Sequence, residues 1–192
     1  NEVWCIDFKG QFRLGDGGIC YPLTITDNYS RKILRCVALR GIEEAPVRAI
    51  LEGTFAEFGL PARIRSDNGT PFCANRGLSI SKLSLWLMQL DIVHERIEPG
   101  VPQQNGRHER MHRTLILEAT HRPAANQVAQ QRQFDEFRHR FNSVRPHEAL
   151  QMKTPNEVHI RSGRNLPKSP FRLRYPKHFD SRRVQSNGRI RV

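Results

Sequence analysis

The hydrophobic period of the chain changes near residue 43, and this change limits the folds that the chain can adopt. Three β-rich runs come first, at 3–8, 19–26 and 32–39. From Glu43 to Phe58 the apolar residues then recur at helical spacing, and Gly59 with Pro61 beyond it ends the run. This order predicts an antiparallel meander that is followed by a helical crossover, which is typical of α/β folds.

The rest of the chain alternates short apolar runs with helical patterns. Strands are predicted at 63–66 and 92–97, and helices at 79–90, from Gly106 onward and at 130–142. In the last of these helices, Phe134, Phe137 and Phe141 form an aromatic stripe that is typical of a core-facing side. Together with the first three runs, these elements predict a mixed five-stranded sheet with flanking helices.

Basic residues outnumber acidic ones, with 31 Lys and Arg against 19 Asp and Glu, a net charge of +12 and a pI near 10.4. The excess lies at the end of the chain, because residues 151–192 hold 11 Lys and Arg but only 2 Asp and Glu. Such a charge favours a polyanion as partner. No apolar run is long enough to cross a bilayer, so we predict no membrane contact.

The length and the cysteines limit the domain organisation and the compartment. At 192 residues the chain suits one core and the start of a second module, and because it begins at Asn1 we interpret it as an excised fragment. The cysteines are scattered without metal-ligand spacing, and three fall in strand-like runs, which favours reduced core residues in a cytoplasmic protein. They are Cys5, Cys20, Cys36 and Cys73.

Three carboxylates occupy positions from which side chains can converge. Asp7 is the one charge in a strand-like run that is otherwise apolar on both faces, which is typical of a central strand. Asp67 opens a turn directly after a short strand, and Glu109 lies in a helix rich in Arg and His whose apolar face is Met111, Leu115 and Ala119. Taken singly, two of them have an ordinary structural interpretation, an Asx-turn for Asp67 and an ion pair with Arg113 for Glu109.

Three converging carboxylates would repel one another unless cations neutralised them. Oxygen ligands favour Mg²⁺ or Mn²⁺ over zinc. Two such ions about 3.5–4 Å apart are the usual means of phosphoryl transfer by metal-assisted displacement. The pattern therefore indicates chemistry on phosphodiesters.

The sequence resembles the integrase-type catalytic core of bacterial insertion-sequence transposases, which are relatives of retroviral integrases. The resemblance covers roughly residues 1–160 and rests on four motifs in order: Trp4-x-x-Asp7-Phe-Lys-Gly10, Ser66-Asp-Asn-Gly69, Pro102-x-x-Asn-Gly-x-x-Glu109-Arg and Arg145-Pro-His-x-Ala-Leu. It implies an RNase H-like fold with the catalytic residues Asp7, Asp67 and Glu109. These three would also bind the metal, Asp7 bridging two Mg²⁺ or Mn²⁺ ions in the active complex.

The spacing between the second and third acids departs from the pattern best known in that family. Here 41 residues separate Asp67 from Glu109, which is longer. Extra residues around Cys73 to Ser84 would account for the difference. Otherwise Glu95 or Glu98 is a rival third ligand, although only Glu109 follows the Asn-Gly-x-x-Glu context.

The resemblance also implies partners and an organisation. The partner is double-stranded DNA, as transposon ends and target, bound by a homo-oligomer in the bacterial cytoplasm at the nucleoid. The predicted domains are a catalytic core at 1–160, a linker at 161–180 and the start of a C-terminal β module at 181–192. The helix-turn-helix region typical of the family has no counterpart in these residues. The predicted DNA-binding residues are Lys9, Asn68, Gln104, Asn105, Arg107, Arg110 and Arg113.

Three functions follow in order of preference. The first is a transposase that cuts DNA at element ends and joins the 3′-hydroxyls to target DNA by metal-dependent chemistry. The second is an RNase H-like nuclease that hydrolyses its substrate without joining strands. The third is an inactive DNA-binding remnant, against which the intact trio of acids argues.

Overall fold

A computed structural model describes residues 2–73, 80–97 and 106–167 of the chain. The predictions for Glu98, Gln104, Asn105 and the module at 181–192 lie outside these residues. The strands are β1 (Val3–Phe8), β2 (Phe12–Arg13), β3 (Ile19–Asp27), β4 (Ile33–Leu39), β5 (Arg63–Ser66) and β6 (Val93–Arg96). The helices are α1 (Glu44–Phe58), α2 (Lys82–Gln89), α3 (Gly106–Leu115), α4 (Gln127–Ser143) and α5 (Pro155–Val158).

Five of the strands form a mixed sheet, as the sequence predicted, and their order in it is β4-β3-β1-β5-β6. The pairs β4–β3 and β3–β1 are antiparallel, whereas β1–β5 and β5–β6 are parallel. The short strand β2, which the sequence did not predict, also pairs with β3. Strand β1 therefore lies at the centre of the sheet, between the meander and the parallel half.

The two faces of the sheet bury separate apolar clusters. Helices α1 and α2 cover one face, where Trp4 and Ile6 of β1 pack with Phe55. Helices α3 and α4 cover the other face, where Met111 and the predicted phenylalanine stripe of α4 are buried. Burying apolar surface on both faces is what fixes a three-layer α/β arrangement.

The predicted helix from Glu43 to Phe58 is confirmed as α1. Of the apolar residues in its pattern, Ala45 and Ala49 are exposed, whereas Val47 and Thr54 are buried. Residues 47, 51, 54, 55 and 58 share one side of a helix with 3.6 residues per turn.

The outer edge of β4 is covered by amide side chains of α4. The side chain of Asn142 accepts from Ile33 N at 2.9 Å and donates to Ile33 O at 2.8 Å. Gln131 accepts from Ala38 N at 2.8 Å and donates to Cys36 O at 2.9 Å. Unpaired strand edges attract other strands, so these amides both satisfy the edge and fix α4 against the sheet.

Helix α3 continues past Leu115 as a π-helical turn, Ile116–Thr120. Its predicted apolar face is confirmed, since Met111, Leu115 and Ala119 are all buried. Among the described residues, no helix is both long and apolar enough to cross a membrane.

The segment after α5 is described as far as Pro167 and is hydrogen-bonded to the body. Ser162 N donates to Phe58 O at 3.0 Å, and Leu60 N donates to Arg164 O at 2.7 Å. Gly59 has a positive φ of 78°, and a Cβ at this glycine would lie 2.5 Å from Ser162 O. The predicted linker at 161–180 thus begins as packed chain.

Candidate active site

The pairing of β1 with β5 brings the first two acids side by side. The strands run parallel with Cys5 opposite Arg65. Asp7 lies two residues beyond Cys5 and Asp67 two residues beyond Arg65, so both acids lie toward the same end of these strands, and the charge of Asp67 acts on Asp7. Asp67 lies just past the end of β5, and its Oδ1 accepts from Gly69 N at 3.1 Å. This Asx turn orients the carboxylate at the sheet edge.

The third acid lies on α3, which packs on the face of the sheet that carries Asp7. Glu109 is exposed there, in the first turn of the helix. Burial, followed by the negative charge of Asp67, raises the pKa of Asp7 to about 7, and Glu109 acts in the same direction. The Lys9 charge and a backbone hydrogen bond from Phe8 oppose the increase. The three acids therefore lie within electrostatic reach of one another.

A buried polar chain connects Asp7 to α3. The ring nitrogens of His108 lie 2.8 Å from Thr26 Oγ1 and 2.8 Å from Thr24 Oγ1. His112 Nε2 lies 2.7 Å from Thr24 Oγ1, and His112 Nδ1 lies 3.7 Å from Asp7 Oδ2. Both threonines are on β3, and Thr24 is paired with Asp7 across the strands. We call these five residues the His-Thr chain.

The hydrogens of the His-Thr chain can be assigned from its end at Asp7. When Asp7 is ionised, the nitrogen of His112 that faces it, Nδ1, must carry the hydrogen, because a lone pair there would be repelled by the carboxylate. The other nitrogen, Nε2, then accepts a hydrogen bond from the Thr24 hydroxyl. The Thr24 oxygen then accepts from His108 Nε2–H, and His108 Nδ1 accepts from Thr26. In this assignment the single Thr24 proton goes to His112 Nε2, so the separation of 3.2 Å between Thr24 Oγ1 and the backbone oxygen of Asp7 is a close contact and not a further hydrogen bond.

Both histidines of this chain are neutral. Burial lowers the pKa of His108 to about 3, and burial with the neighbouring ring and Lys9 lowers the pKa of His112 to about 2. Helical spacing puts His112 on the same side of α3 as Glu109, but His112 is not one of the cations around this acid, because its ring is buried against the sheet and carries no charge at neutral pH.

The same atoms form a possible metal site. Asp7, His108 and His112 each offer a ligand atom, and these atoms lie within 4.8 Å of one another. However, both nitrogens of His108 already contact threonine hydroxyls, so a metal there would break one of these hydrogen bonds. The arrangement is therefore better satisfied as a hydrogen-bonded support for Asp7.

A third histidine, which is partly buried, supports the strand that leads to Asp67. His94 Nε2 lies 2.8 Å from Ser66 Oγ, and His94 Nδ1 lies 2.8 Å from Ser84 Oγ of α2. Ser66 Oγ in turn donates to Asp67 O at 2.9 Å. Burial, with the charge of Arg96, lowers the pKa of His94 to about 4, so this histidine is also neutral.

The rival third ligand, Glu95, is engaged elsewhere. Its carboxylate forms ion pairs with Arg63 at 2.7 Å and with Arg65 at 3.0 Å across β5 and β6. Hydrogen bonds from these arginines lower the pKa of Glu95. The groups that raise the pKa of Asp7 include Glu109 and not Glu95.

The predicted DNA-binding residues that the structure describes lie at different places in the fold. Lys9 follows β1 near Asp7, and the side chain of Asn68 donates to Ile97 O at 2.8 Å. Arg113 is exposed one turn beyond Glu109 on the same side of α3. Arg107 and Arg110 instead line a cavity that the structure places on another side of this helix.

Two models of one family match the sequence. Both are described as integrase core domain, and they cover residues 1–102 and 90–155. The chain belongs to the integrase core domain family.

Two relatives among curated proteins come from insertion elements. An uncharacterized 39.2 kDa protein of insertion element IS476 from Xanthomonas euvesicatoria is 28% identical over 148 residues, which are 77% of this chain and 41% of that protein. An uncharacterized 31.7 kDa protein of insertion element IS407 from Burkholderia multivorans is 27% identical over 158 residues, 82% and 54% of the two chains. The chain thus spans about half or less of these relatives.

Solved structures of retroviral integrases share the fold. A chain of the simian T-cell lymphotropic virus intasome, in complex with PP2A regulatory subunit B56 gamma, matches with a TM-score of 0.65 and 16% identity, over 94% of this chain and 60% of that one. The catalytic core of BIV integrase matches with a TM-score of 0.60 and 17% identity, over 82% and 92%. The HTLV-2 integrase core in complex with magnesium matches at 0.57 and 14%, over 83% and 97%. The fold is RNase H-like.

Proposed function

We propose that this integrase core is the catalytic part of an insertion-sequence transposase that cleaves DNA at element ends and joins the 3′-hydroxyls to target DNA. Asp7, Asp67 and Glu109 are the proposed catalytic and metal-binding residues. The observation that carries the proposal is the position of Asp7, a largely buried carboxylate of the central strand that lies close enough to Asp67 and Glu109 for their charges to act on it. Burial, together with these charges, raises the pKa of Asp7 to about 7.

Such a group of acids suits Mg²⁺ or Mn²⁺. Mutual repulsion and partial burial disfavour three ionised carboxylates in a protein without a cation, and hard divalent cations prefer oxygen ligands. When bound, one or two of these ions supply the Lewis acidity that phosphodiester cleavage and joining require. The magnesium in the HTLV-2 integrase core structure supports this choice of ion.

The chain's own residues determine the geometry of this site. The parallel pairing of β1 with β5 brings together the ends of the strands near Asp7 and Asp67, and His112 faces the Asp7 carboxylate from α3. Since Glu109 is three residues before His112 on the same helix, the buried histidine also fixes where Glu109 stands. Arg113 offers a positive charge near the acids for the phosphate backbone of the substrate.

The partner and assembly are part of the proposal. We propose double-stranded DNA, as element ends and target, and a homo-oligomer in which two or more active sites act on two ends. Support comes from related integrase structures, which are described as an intasome and as dimeric and trimeric forms. A location with the nucleoid in the bacterial cytoplasm follows from the substrate.

A strand-transfer assay tests the proposal. The full-length protein is incubated with labelled duplexes of its own element's ends, a target plasmid and Mg²⁺ or Mn²⁺. We expect joined products that disappear with EDTA and with Asp7→Asn. Hydrolysed ends without any joining would favour the nuclease alternative, and DNA binding without either product would favour the inactive remnant.

A further inference from the structure

A cavity of about 160 Å³ lies between α3, the β3–β4 turn and the end of α4. Four arginines line it, and they come from three separate parts of the chain: Arg31, Arg107, Arg110 and Arg145. We call this the arginine cavity. His147 and the apolar side chains Met111 and Phe141 complete much of its wall.

The arginine cavity is distinct from the carboxylate site. On a helix with 3.6 residues per turn, positions 107, 110 and 114 lie about 100–160° around the axis from Glu109. These positions line the cavity, whereas Glu109 and Arg113 face another way. An anion in the cavity would therefore not be the phosphate that undergoes reaction at the three acids.

Positive charge in the cavity exceeds the negative charge available to it. The ion pair of Arg145 with Glu118 and the hydrogen bond from Arg107 to Asn28 O at 3.0 Å engage two of the arginines. Among the residues that the structure describes, Arg31 and Arg110 have no acidic partner.

One acid, Asp27, also lines the cavity. Its Oδ2 accepts hydrogen bonds from the backbone and hydroxyl of Ser30 and lies 3.5 Å from His159 Nδ1. Burial and the charges of Arg107 and Arg110 lower the pKa of Arg31, as expected for cations held together without an anion.

The backbone at Arg31 gives independent support. Arg31 has a φ of 63°, in the left-handed region where a residue with a Cβ is strained and glycine or asparagine is favoured. Strain of this kind persists at positions where the side chain serves a function. The turn thus holds a long cationic side chain at the cavity although a smaller residue would fit the backbone better.

Two sequence motifs meet at the cavity. Arg107 and Arg110 flank Glu109 in the motif Asn-Gly-x-x-Glu-Arg, and Arg145 and His147 belong to Arg-Pro-His-x-Ala-Leu. His147 Nε2 is buried and has no hydrogen-bond partner among the described residues. A ligand with acceptor oxygens would give this nitrogen and the two unpaired guanidinium groups partners.

We propose that the arginine cavity is a phosphate-binding site, separate from the catalytic acids, with Arg31 and Arg110 as its principal ligands. The phosphate is either a backbone phosphate of bound DNA or a free phosphate anion. Guanidinium groups suit both, because their fixed N–H donors match phosphate oxygens. This proposal does not depend on the catalytic chemistry, since binding is measured without divalent metal.

Thermal unfolding of the full chain tests this phosphate-binding site. The melting temperature is measured with EDTA present, once in sodium phosphate and once in sodium chloride of equal ionic strength. We expect phosphate to raise the melting temperature of the wild-type protein. Arg110→Gln should weaken phosphate binding about tenfold or more, the usual effect of losing one charge-assisted hydrogen bond. Arg122→Gln removes the same charge at an exposed position that does not line the cavity, and it should bind phosphate like the wild type.

Arg31→Gly separates binding from folding. Without phosphate, we expect this variant to melt higher than the wild type because the backbone strain is removed. Its stabilisation by phosphate should nevertheless be lost. A variant that simply damaged the fold would melt lower in both buffers, and a full phosphate response in Arg31→Gly would overturn the proposal.

Fluorescence anisotropy with a short DNA duplex identifies the source of the phosphate. If the cavity holds a DNA phosphate, Arg110→Gln weakens DNA binding more than Arg122→Gln does. If it holds a free anion, the two variants bind DNA equally but differ in their response to phosphate. Equal behaviour of the two variants in both measurements would show that the cavity binds no phosphate.

Discussion

His112 Nδ1 lies 3.7 Å from Asp7 Oδ2 across the interface between α3 and the sheet. His112 is almost fully buried and neutral, and its other nitrogen contacts Thr24, so the ring has little freedom to turn. The contact links the central strand to the helix that carries Glu109. Two acids that are 102 positions apart in the chain are thereby held in one arrangement by a residue that is itself not acidic.

Replacing His112 should impair catalysis more than DNA binding. We expect His112→Asn to lower the strand-transfer rate about 10–100-fold and to raise the Mg²⁺ concentration needed for half-maximal activity, because residues that orient a metal ligand have effects of this size. DNA affinity should stay within about twofold. The matched control is His121→Asn, at an exposed histidine. Parallel losses of DNA affinity and rate would mean that His112 supports only the fold.

Removing the charge of Asp7 should abolish activity and stabilise the metal-free protein. The pKa of Asp7 in the folded protein, about 7, is above the ordinary value of 3.8. Ionisation of Asp7 therefore lowers the free energy of unfolding by its full amount above pH 7, and this loss shrinks to nothing as the pH falls toward 4. We expect Asp7→Asn to gain on the order of 2 kcal/mol at pH 8, measured by urea unfolding in EDTA. Asp135→Asn, at an exposed acid of α4, should show no gain. A loss of stability at pH 8 would contradict the burial of a repelled carboxylate.

Acid should destabilise the protein through its buried histidines. His94, His108 and His112 have folded pKa values of about 4, 3 and 2, below the ordinary 6.5. The unfolded chain therefore takes up protons that the folded chain does not, and stability present above pH 6.5 is lost as pH falls. Each histidine lowers the free energy of unfolding by about 1.4 kcal/mol for every pH unit below 6.5. Asp7 cancels the contribution of one histidine, because its pKa is raised in the folded protein and it therefore stabilises the fold as the pH falls.

The net slope should therefore be roughly 2–3 kcal/mol per pH unit between pH 6 and 4.5. Urea midpoints at several pH values measure it. His108→Gln should reduce the slope by about one histidine's share, and His121→Asn should leave it unchanged. A flat profile would show that these rings are charged or exposed in the folded protein.

The sequence was enough to predict the sheet and to single out the three acids as candidates, but it did not reveal the residues that support Asp7. Asp7 and Asp67 stood out because each is a charge beside an apolar strand, and hydrophobic periodicity located the strands. The His-Thr chain was missed because its signal lies in two distant patterns, histidines four apart on α3 and threonines two apart on β3. Each pattern is common alone, and only the packing of α3 on β3 brings them together.

The strand-transfer rates of variants at Glu109 and at Glu95 distinguish these two candidates for the third acid. We expect Glu109→Gln to lower strand transfer at least about 10³-fold, as the loss of a metal-binding carboxylate would. Glu95→Gln breaks partly exposed ion pairs with Arg63 and Arg65, so it should cost about 1 kcal/mol of stability or less and leave the rate within a few-fold. Rates are measured on the same end duplexes. An inactive Glu95→Gln with an active Glu109→Gln would reverse the assignment of the third ligand.

The basic C-terminal segment should strengthen DNA binding without contributing to the chemistry. Residues 168–192 carry 8 Lys and Arg and 1 Asp, and every phosphate contact that they make adds about 0.9 to the slope of log affinity against log salt. Truncation after Pro167 should therefore flatten this slope by several units, measured by anisotropy from low to moderate salt.

The same truncation should leave the stability of the protein unchanged. It retains Ser162 and Arg164, which hydrogen-bond to the end of α1 and to the loop after it. Truncation after Ile160 removes these contacts as well and should lower the melting temperature, so the pair of truncations separates packing from charge. An unchanged salt slope after the shorter truncation would mean that this segment does not touch DNA.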